Sequence, residues 1–337
     1  MFKLNNIMDL DSSIKFIENC FNDCNENIKN DMKNILKKKS PKISLKVSLD
    51  SNIIVRCLSI NEIEISIALF RELEAFYKVV LSEENEGYYK SISDDKNYCP
   101  STASLYISLL MSISIKIILF HELGHIYNGH IQYLQNNSTN KIIDFSENLQ
   151  SSIENTVNDV PLDEMIIKAL EWNADDFSAT RIIARYCHES VIESINNGNN
   201  KIIHSNQHMF LLVLESTVIL YSLLGLGNNN RKEDFKHPPL RLRLISTIST
   251  QIFSYNIFNK EKIDLSNDLI NLIIKLENMV NSYCNKTKPS IYKTSNNLNE
   301  LMKESQGINK KIEDYYLENL TEILKPYAIL SVLTPNK

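Results

Sequence analysis

The sequence has few glycines and few prolines, 7 and 8 in a chain of 337 residues. Loop-rich all-β folds use many of both residues at their turns, so this scarcity argues against such folds and favours long helices. The chain also lacks a surplus of one charge, because 36 Lys and Arg stand against 41 Asp and Glu, for a net charge of −5. Without an overall basic field we expect no nucleic-acid partner, although a local basic patch is compatible with this balance.

Several motifs that carry chemistry are also missing. The sequence contains no GxxxxGK[ST] phosphate loop, no GxGxxG and no GxSxG, which disfavours nucleotide binding and serine hydrolysis. The six cysteines form no CxxC pair, and the first residues, MFKLNNIMDLDSS, contain no apolar stretch followed by a cleavage site. We therefore expect reduced thiols, no secretory signal and a cytoplasmic protein.

The hydrophobic pattern predicts a mainly α fold of the α+β class. Apolar residues recur every three or four positions over residues 11–36, which is typical of an amphipathic helix. Residues 42–49 alternate strictly between apolar and polar, and together with residues 53–58 they predict a β-hairpin. Further helices are predicted over residues 61–81, 102–134, 161–187, 207–226, 238–255, 262–283 and 310–331, with loops over residues 83–100, 135–158 and 287–307.

Two of these predicted helices contain segments apolar enough to be considered as membrane spans. Residues 105–120 include Lys116, and residues 209–226 include Glu215. Both segments are at or below the length that crosses about 30 Å of hydrocarbon, and a charge at mid-bilayer costs a few kcal/mol. Buried core helices are the favoured interpretation, and contact of residues 209–226 with lipid is the alternative.

The most informative stretch is Phe120-His121-Glu122-Leu123-Gly124-His125. Histidines four positions apart lie on one face of a helix, so both rings can reach the same metal ion. Glu122 lies beside that ion, where its carboxylate can take a proton from a bound water. This HExxH pattern is the signature of zinc peptidases, and two surface histidines on an ordinary helix are the alternative.

The third zinc ligand is predicted downstream, because a catalytic zinc needs three protein ligands and one open position. In the segment LEWNADDFSA, Glu171 and Asp175 are four residues apart on a predicted helix and share a face. Glu171 can complete a His, His, Glu set, while Asp175 can accept a hydrogen bond from the free ring N–H of a ligand histidine. A solvated acidic face is the alternative.

Other histidines are weaker candidates. The metzincin pattern requires Gly at position 128 and His at position 131, where the chain has Asn128 and Ile131. On a continuous helix His130 points about 180° away from His121, so we expect a helix-end or core histidine. His204 and His208 form another pair at i,i+4, but no third ligand stands near them in the sequence.

A last element is His237-Pro238-Pro239-Leu240-Arg241-Leu242-Arg243, just before an apolar helix. Proline in the first turn suits a helix start. A histidine at this junction can reach into a cleft and donate a hydrogen bond to a developing oxyanion, and a plain helix N-terminus is the alternative.

In order and type, HELGH, ExxxD and HPPxxxR resemble the gluzincin metallopeptidases of the HtpX and CAAX-prenyl-protease group. The resemblance covers about residues 104–250. It implies a zincin-like core with one Zn²⁺ per chain and the following site residues: ligands His121, His125 and Glu171, general base Glu122, orienting Asp175, oxyanion-stabilising His237 and helix-anchoring Arg243.

The resemblance also divides the chain into an N-terminal helical and hairpin region (residues 1–100), a zinc peptidase core (residues 101–255) and a C-terminal helical region (residues 256–337). Members of that group usually have convincing membrane spans, which this sequence lacks. A soluble offshoot, similar to the Lit-type phage-exclusion peptidases that act on a host protein, fits better.

The sequence therefore predicts a zinc-dependent metalloendopeptidase acting on a protein or peptide. A triggered protease or toxin-like module with a single partner, and a zinc-binding interaction protein without catalysis, are the alternatives. The sequence gives no indication of the oligomeric state.

Overall fold

The computed structural model describes residues 8–36, 40–80, 103–137, 164–196, 202–226, 240–260, 262–264, 266–287 and 298–330. The α-helices are α1 Leu10–Asp31, α2 Ile67–Val80, α3 Ala103–Tyr127, α4 His130–Asn137, α5 Glu164–Tyr186, α6 Glu189–Asn196, α7 Asn206–Leu226, α8 Leu240–Phe258, α9 Asn267–Thr287, α10 Leu298–Tyr315 and α11 Thr321–Leu324, with π-helical segments at Met32–Leu36 and Tyr316–Leu320. The strands are β1 Ser44–Ser48, β2 Val55–Ser59 and β3 Glu62–Ser66. The chain is mainly helical with a small mixed sheet, which confirms the predicted α-dominant class.

The strand order is β1-β3-β2, with β3 in the centre. β1 runs parallel to β3, and β2 runs antiparallel to β3. The predicted hairpin between residues 42–49 and 53–58 is therefore wrong, because these two strands are not neighbours. The helix predicted over residues 61–81 begins only at Ile67, because Glu62–Ser66 form β3.

A buried glutamate in the central strand pairs with cations of both neighbouring strands. Glu64 is 4% exposed, and its carboxylate forms ion pairs of 2.8 Å with Lys46 of β1 and with Arg56 of β2. Opposite charges facing each other across neighbouring strands stabilise their pairing. Because Glu64 has a cationic partner on each side, β3 fits between β1 and β2.

Helices α3 and α7 form the centre of the helical core. Both are apolar on every face, which is the pattern of a helix surrounded by protein. Residues Ser104–Tyr127 and Asn206–Leu224 would be long and apolar enough to cross a membrane, but 67% and 89% of their most apolar stretches are buried inside the protein. Buried core helices have the same length and composition, so these two properties alone do not identify a membrane span.

The charge within α3 is paired with the N-terminal helix. Lys116 of α3 is buried and forms an ion pair with Asp23 of α1. The other carboxylate oxygen of Asp23 accepts a hydrogen bond of 2.8 Å from Arg185 of α5. Three helices are thus joined at one carboxylate, and α1 packs against the core.

A break after Tyr127 separates α3 from α4, so the single helix predicted over residues 102–134 is wrong. Gly129 has φ of +79°, and a Cβ there would lie 2.5–2.7 Å from the backbone of Tyr327 and Ala328. The Tyr127 carbonyl accepts hydrogen bonds from the Ile329 and Leu330 amides. The C-terminal segment therefore packs against the break, where only glycine fits.

The other differences from the predicted secondary structure concern helices α6, α10 and α11. The segment Glu189–Asn196 forms α6, which was not predicted, and α10 begins at Leu298 inside the predicted loop over residues 287–307. The helix predicted over residues 310–331 ends at Leu324. The predicted loop over residues 83–100 lies outside the described residues. Of the loop predicted over residues 135–158, residues 135–137 belong to α4, and residues 138–158 lie outside the described residues.

Candidate metal centre

Helix α3 carries the HExxH motif in its last turns. His121, Glu122 and His125 are at most 2% exposed, because α3 is surrounded by other elements. This burial rules out the alternative of two surface histidines. The Nε2 atoms of the two histidines lie 3.1 Å apart, as expected for rings at i,i+4 that turn towards one point.

Helix α5 brings a carboxylate to these histidines by packing closely against α3. A Cβ at Gly124 would lie 3.1 Å from the Phe177 ring, so glycine allows this close approach. Glu171 Oε2 lies 3.5 Å from His121 Nε2, and Glu171 Oε1 lies 3.4 Å from His125 Nε2. Since Glu171 is 1% exposed, a solvated acidic face is ruled out here.

The three side chains suit a metal ion. Ligand atoms of His121, His125 and Glu171 lie within 4.8 Å of one another. Ligands placed about 2.0–2.2 Å from a tetrahedral ion are roughly 3.3–3.5 Å apart, close to the separations seen here. In the part of the chain that the structure describes, no other group of three His, Cys, Asp or Glu side chains has such an arrangement.

Arg243 of α8 lies behind the cluster and contacts both carboxylates of α5. Its Nε and Nη2 donate to the two oxygens of Asp175 at 2.8 and 2.9 Å, and its Nη1 lies 3.2 Å from Glu171 Oε2. Burial alone would raise the pKa of each carboxyl, but Arg243 lowers the pKa of Asp175 to about 2 and that of Glu171 well below its usual range. Both groups are therefore ionised near neutral pH.

Asp175 faces one of the histidines and is itself held in place. Its Oδ1 lies 2.9 Å from His121 Nδ1 and accepts a hydrogen bond of 2.7 Å from the Tyr221 hydroxyl. Thr247 donates in turn to the Tyr221 oxygen at 3.2 Å. Tyr221 was not predicted as a site residue, because it lies on the apolar helix α7, 46 residues from Asp175, with no motif around it.

His130 also reaches the cluster, contrary to the prediction that it points away. Its Nδ1 lies 3.0 Å from His125 Nδ1, because the break at Gly129 restarts the helix in a new direction. His130 is buried at the first residue of α4, which agrees with the predicted helix-end or core histidine. Burial, followed by the neighbouring His125, lowers the pKa of His130 well below its usual value, so the ring is neutral and can accept an N–H.

Glu122 contacts the small sheet. Cys57 Sγ of β2 lies 3.2 Å from Glu122 Oε2 and 3.3 Å from the Glu122 carbonyl oxygen. Burial first, and then Glu122 and Glu171, raise the pKa of the Cys57 thiol well above its ordinary value. The thiol is therefore protonated and can donate a hydrogen bond.

Two other predicted features are not part of this cluster. His237 lies outside the described residues. The rings of His204 and His208 stack with centroids 5.5 Å apart, and no third metal ligand joins them among the described residues.

Comparisons with protein-family models, with curated proteins and with solved structures found no match. The resemblance to gluzincins therefore depends on the motifs and on the geometry described above.

Proposed function

We propose that this protein is a zinc-dependent metalloendopeptidase of the gluzincin type, with a zincin-like core and one Zn²⁺ per chain. The observation that carries the proposal is a buried cluster of His121, His125 and Glu171. The Glu122 carboxylate is also buried and comes from the same helix as the two histidines. Structural zinc is usually closed by four Cys or His ligands, whereas catalytic zinc keeps one position open. Three ligands in the described residues favour a catalytic site.

The proposed reaction is hydrolysis of a peptide bond. When bound, the ion would lower the pKa of a water molecule towards about 7 and polarise the scissile carbonyl. Glu122 accepts the proton as water attacks and delivers it to the leaving amine. His237, from its place in the HPPxxxR motif, would donate a hydrogen bond to the developing oxyanion.

The residues behind the ligands fix their orientation and charge. The ionised Asp175 favours a proton on Nδ1 of His121, which leaves Nε2 free to bind the ion. Arg243 compensates part of the negative charge of Asp175 and Glu171. Burial opposes a charge on His121, but Asp175 and Glu171 raise its pKa well above the usual value. A bound divalent cation would take the place of that ring proton as the partner of the carboxylates.

The edge position of strand β2 supports the proposal of a protein or peptide substrate. It is an edge strand of the described sheet, paired with β3 alone, and its Cys57 contacts the proposed general base. An extended peptide that pairs with a free strand edge gains main-chain hydrogen bonds. We propose a cytoplasmic protein or peptide as substrate and no nucleic-acid partner.

A triggered protease with one partner is the second candidate, similar to the soluble phage-exclusion peptidases. The burial of Glu122, which is 1% exposed, favours it, because a substrate must reach a carboxylate enclosed by protein. A zinc-binding interaction protein without catalysis is the third candidate, and the presence of Glu122 beside the cluster argues against it.

The experiment compares zinc-loaded wild type with Glu122→Gln on unfolded casein and on a mixture of quenched fluorescent peptides. We expect cleavage by wild type, loss with a chelator and recovery with zinc, and a rate at least about 10²-fold lower in Glu122→Gln at equal zinc content. Zinc-loaded wild type that cleaves neither probe favours the single-partner enzyme. Equal rates in the two proteins contradict the proposal.

A further inference from the structure

We propose that the thiol of Cys57 positions the carboxylate of Glu122, so that the edge strand β2 supplies a residue to the catalytic centre. This inference rests on the proposed function, in which Glu122 is the general base. Cys57 is a positioning residue in this account, because it acts on the substrate only through Glu122.

The contact joins two elements that are distant in the sequence. Cys57 Sγ lies 3.2 Å from Glu122 Oε2 and 3.3 Å from the carbonyl oxygen of the same residue, across 65 positions of the chain. The side chains are 5% and 1% exposed, so water competes little for this hydrogen bond. A thiol has a single proton, and of two acceptors the charged carboxylate binds it more strongly.

The thiol suits this role because it remains a donor. Burial and the nearby carboxylates Glu122 and Glu171 disfavour the thiolate, so the sulfur keeps its proton. A thiol that donates to Oε2 restrains the rotation of the carboxylate and leaves Oε1 to accept the proton of the attacking water. General bases act only when they are held within hydrogen-bond reach of the proton they remove.

The substitutions follow from this chemistry. Cys57→Ser keeps a donor in almost the same place, whereas Cys57→Ala removes the donor and little volume. Cys187 offers a matched control, because it is also a buried free thiol and burial alone accounts for its raised pKa. Changes at Cys187 test the effect of removing a core thiol with no carboxylate beside it.

The first test is the infrared S–H stretching band of Cys57, obtained from the difference between wild type and Cys57→Ser. A band shifted to low frequency by the carboxylate should move to higher frequency in Glu122→Gln, while the band of Cys187, obtained with Cys187→Ser, should stay in place. A Cys57 band that does not respond to Glu122→Gln overturns the proposal. This readout needs no turnover.

The second test is turnover of the quenched fluorescent peptides by zinc-loaded variants. We expect kcat to fall about 10-fold in Cys57→Ala, as one part of the 10²–10⁴-fold contribution of a general base, with KM and zinc content unchanged. Cys57→Ser should recover most of the rate, and Cys187→Ala should match wild type. Full kcat in Cys57→Ala overturns the proposal. A responsive Cys57 band in a wild type that cleaves none of the peptides would support the contact and would favour the single-partner enzyme over the general endopeptidase.

Discussion

The two histidines of the candidate metal centre contact different side chains through their Nδ1 atoms. His121 faces the ionised carboxylate of Asp175, whereas His125 faces the neutral ring of His130. Both partners contact the Nδ1 atom and leave Nε2 directed at the cluster. The partner of a ligand histidine sets its tautomer and orientation, so each should contribute to metal affinity.

We expect His130→Ala to weaken zinc binding about 10–100-fold, because His125 would lose the acceptor that fixes its ring. Competition with a chromogenic chelator measures this affinity. The control is His188→Ala, since His188 is exposed and its ring lies 2.9 Å from the Ser190 hydroxyl, outside the cluster. Unchanged affinity in His130→Ala would show that the contact does not support the ligand.

Glu215 gives a prediction for pH dependence, because it is fully buried in α7 and burial raises its pKa from 4.5 to about 8. Between these two pH values the folded chain keeps a proton that the unfolded chain releases, so stability is fully present below about pH 4.5 and is lost as pH rises to 8. At about 1.36 kcal/mol per pH unit, the loss is several kcal/mol.

The variant Glu215→Gln removes this titration. Its free energy of unfolding relative to wild type should therefore rise steadily from pH 5 to pH 8, as measured by urea denaturation. Glu18→Gln, at an exposed position of α1, is the control for the loss of one acidic side chain. A constant difference in Glu215→Gln would mean that this carboxyl is not protonated in the folded chain.

At the level of residues, the sequence predicted the three side chains of the cluster but not the groups around them. His121 and His125 follow from their spacing, and Glu171 and Asp175 follow from theirs, because a helix converts a spacing of four into a shared face. Tyr221 and Cys57 reach the site through packing between distant elements. Contacts between distant elements produce no pattern in any single stretch of the sequence.

At the level of elements, the break between α3 and α4 is what turns His130 towards His125. The break depends on a positive φ at Gly129 and on the C-terminal segment that fills the space beside it. The scarcity of glycine makes this position informative, but an isolated Gly within an apolar pattern is also tolerated in continuous helices. The sequence therefore could not separate the two outcomes.

We expect Gly129→Ala to destabilise the fold by more than about 2 kcal/mol, because a side chain there adopts a strained φ and meets the backbone of Tyr327 and Ala328. The matched control is Gly307→Ala in α10, where a Cβ meets nothing within 4 Å. This change should be neutral or stabilising by up to about 1 kcal/mol. Guanidinium unfolding of both variants compares them, and equal stabilities would contradict the described packing.

The hydrophobic pattern of the sequence predicted only part of the sheet. Alternation predicted the strand over residues 42–49, and residues 53–58 were predicted as its returning strand in a hairpin. The short β3 joins directly to α2, so its residues were included in the helix predicted after them. Glu64 of β3 also forms ion pairs with Lys46 of β1 and with Arg56 of β2. These contacts link strands across the sheet and appear in no single stretch of sequence.

At the level of the whole molecule, the candidate centre is assembled from six elements. α3 and α5 provide the cluster, α4 provides His130, α7 and α8 provide Tyr221 and Arg243, and β2 provides Cys57. A bound ion would therefore add a link between α3 and α5, which side-chain contacts such as His121–Asp175 already join, and the fold should respond to the metal as a unit. The predicted division at residues 1–100, 101–255 and 256–337 stays a prediction.

Zinc should raise the thermal stability of the wild-type protein. An ion that binds only the folded state adds about 2.7 kcal/mol when its free concentration is 100 times Kd. Differential scanning calorimetry with and without zinc measures the shift in Tm. His121→Ala should show a much smaller shift, and an equal shift would place the stabilising ion at another site.

The most direct test of the whole account is the metal content of the purified protein, measured by plasma mass spectrometry beside three variants. We expect one zinc per chain in wild type, loss of zinc in His121→Ala and Glu171→Ala, and full zinc in Glu122→Gln. Zinc retained in Glu171→Ala would contradict the proposed ligand set. Wild type that binds no zinc after reconstitution would contradict the metallopeptidase itself.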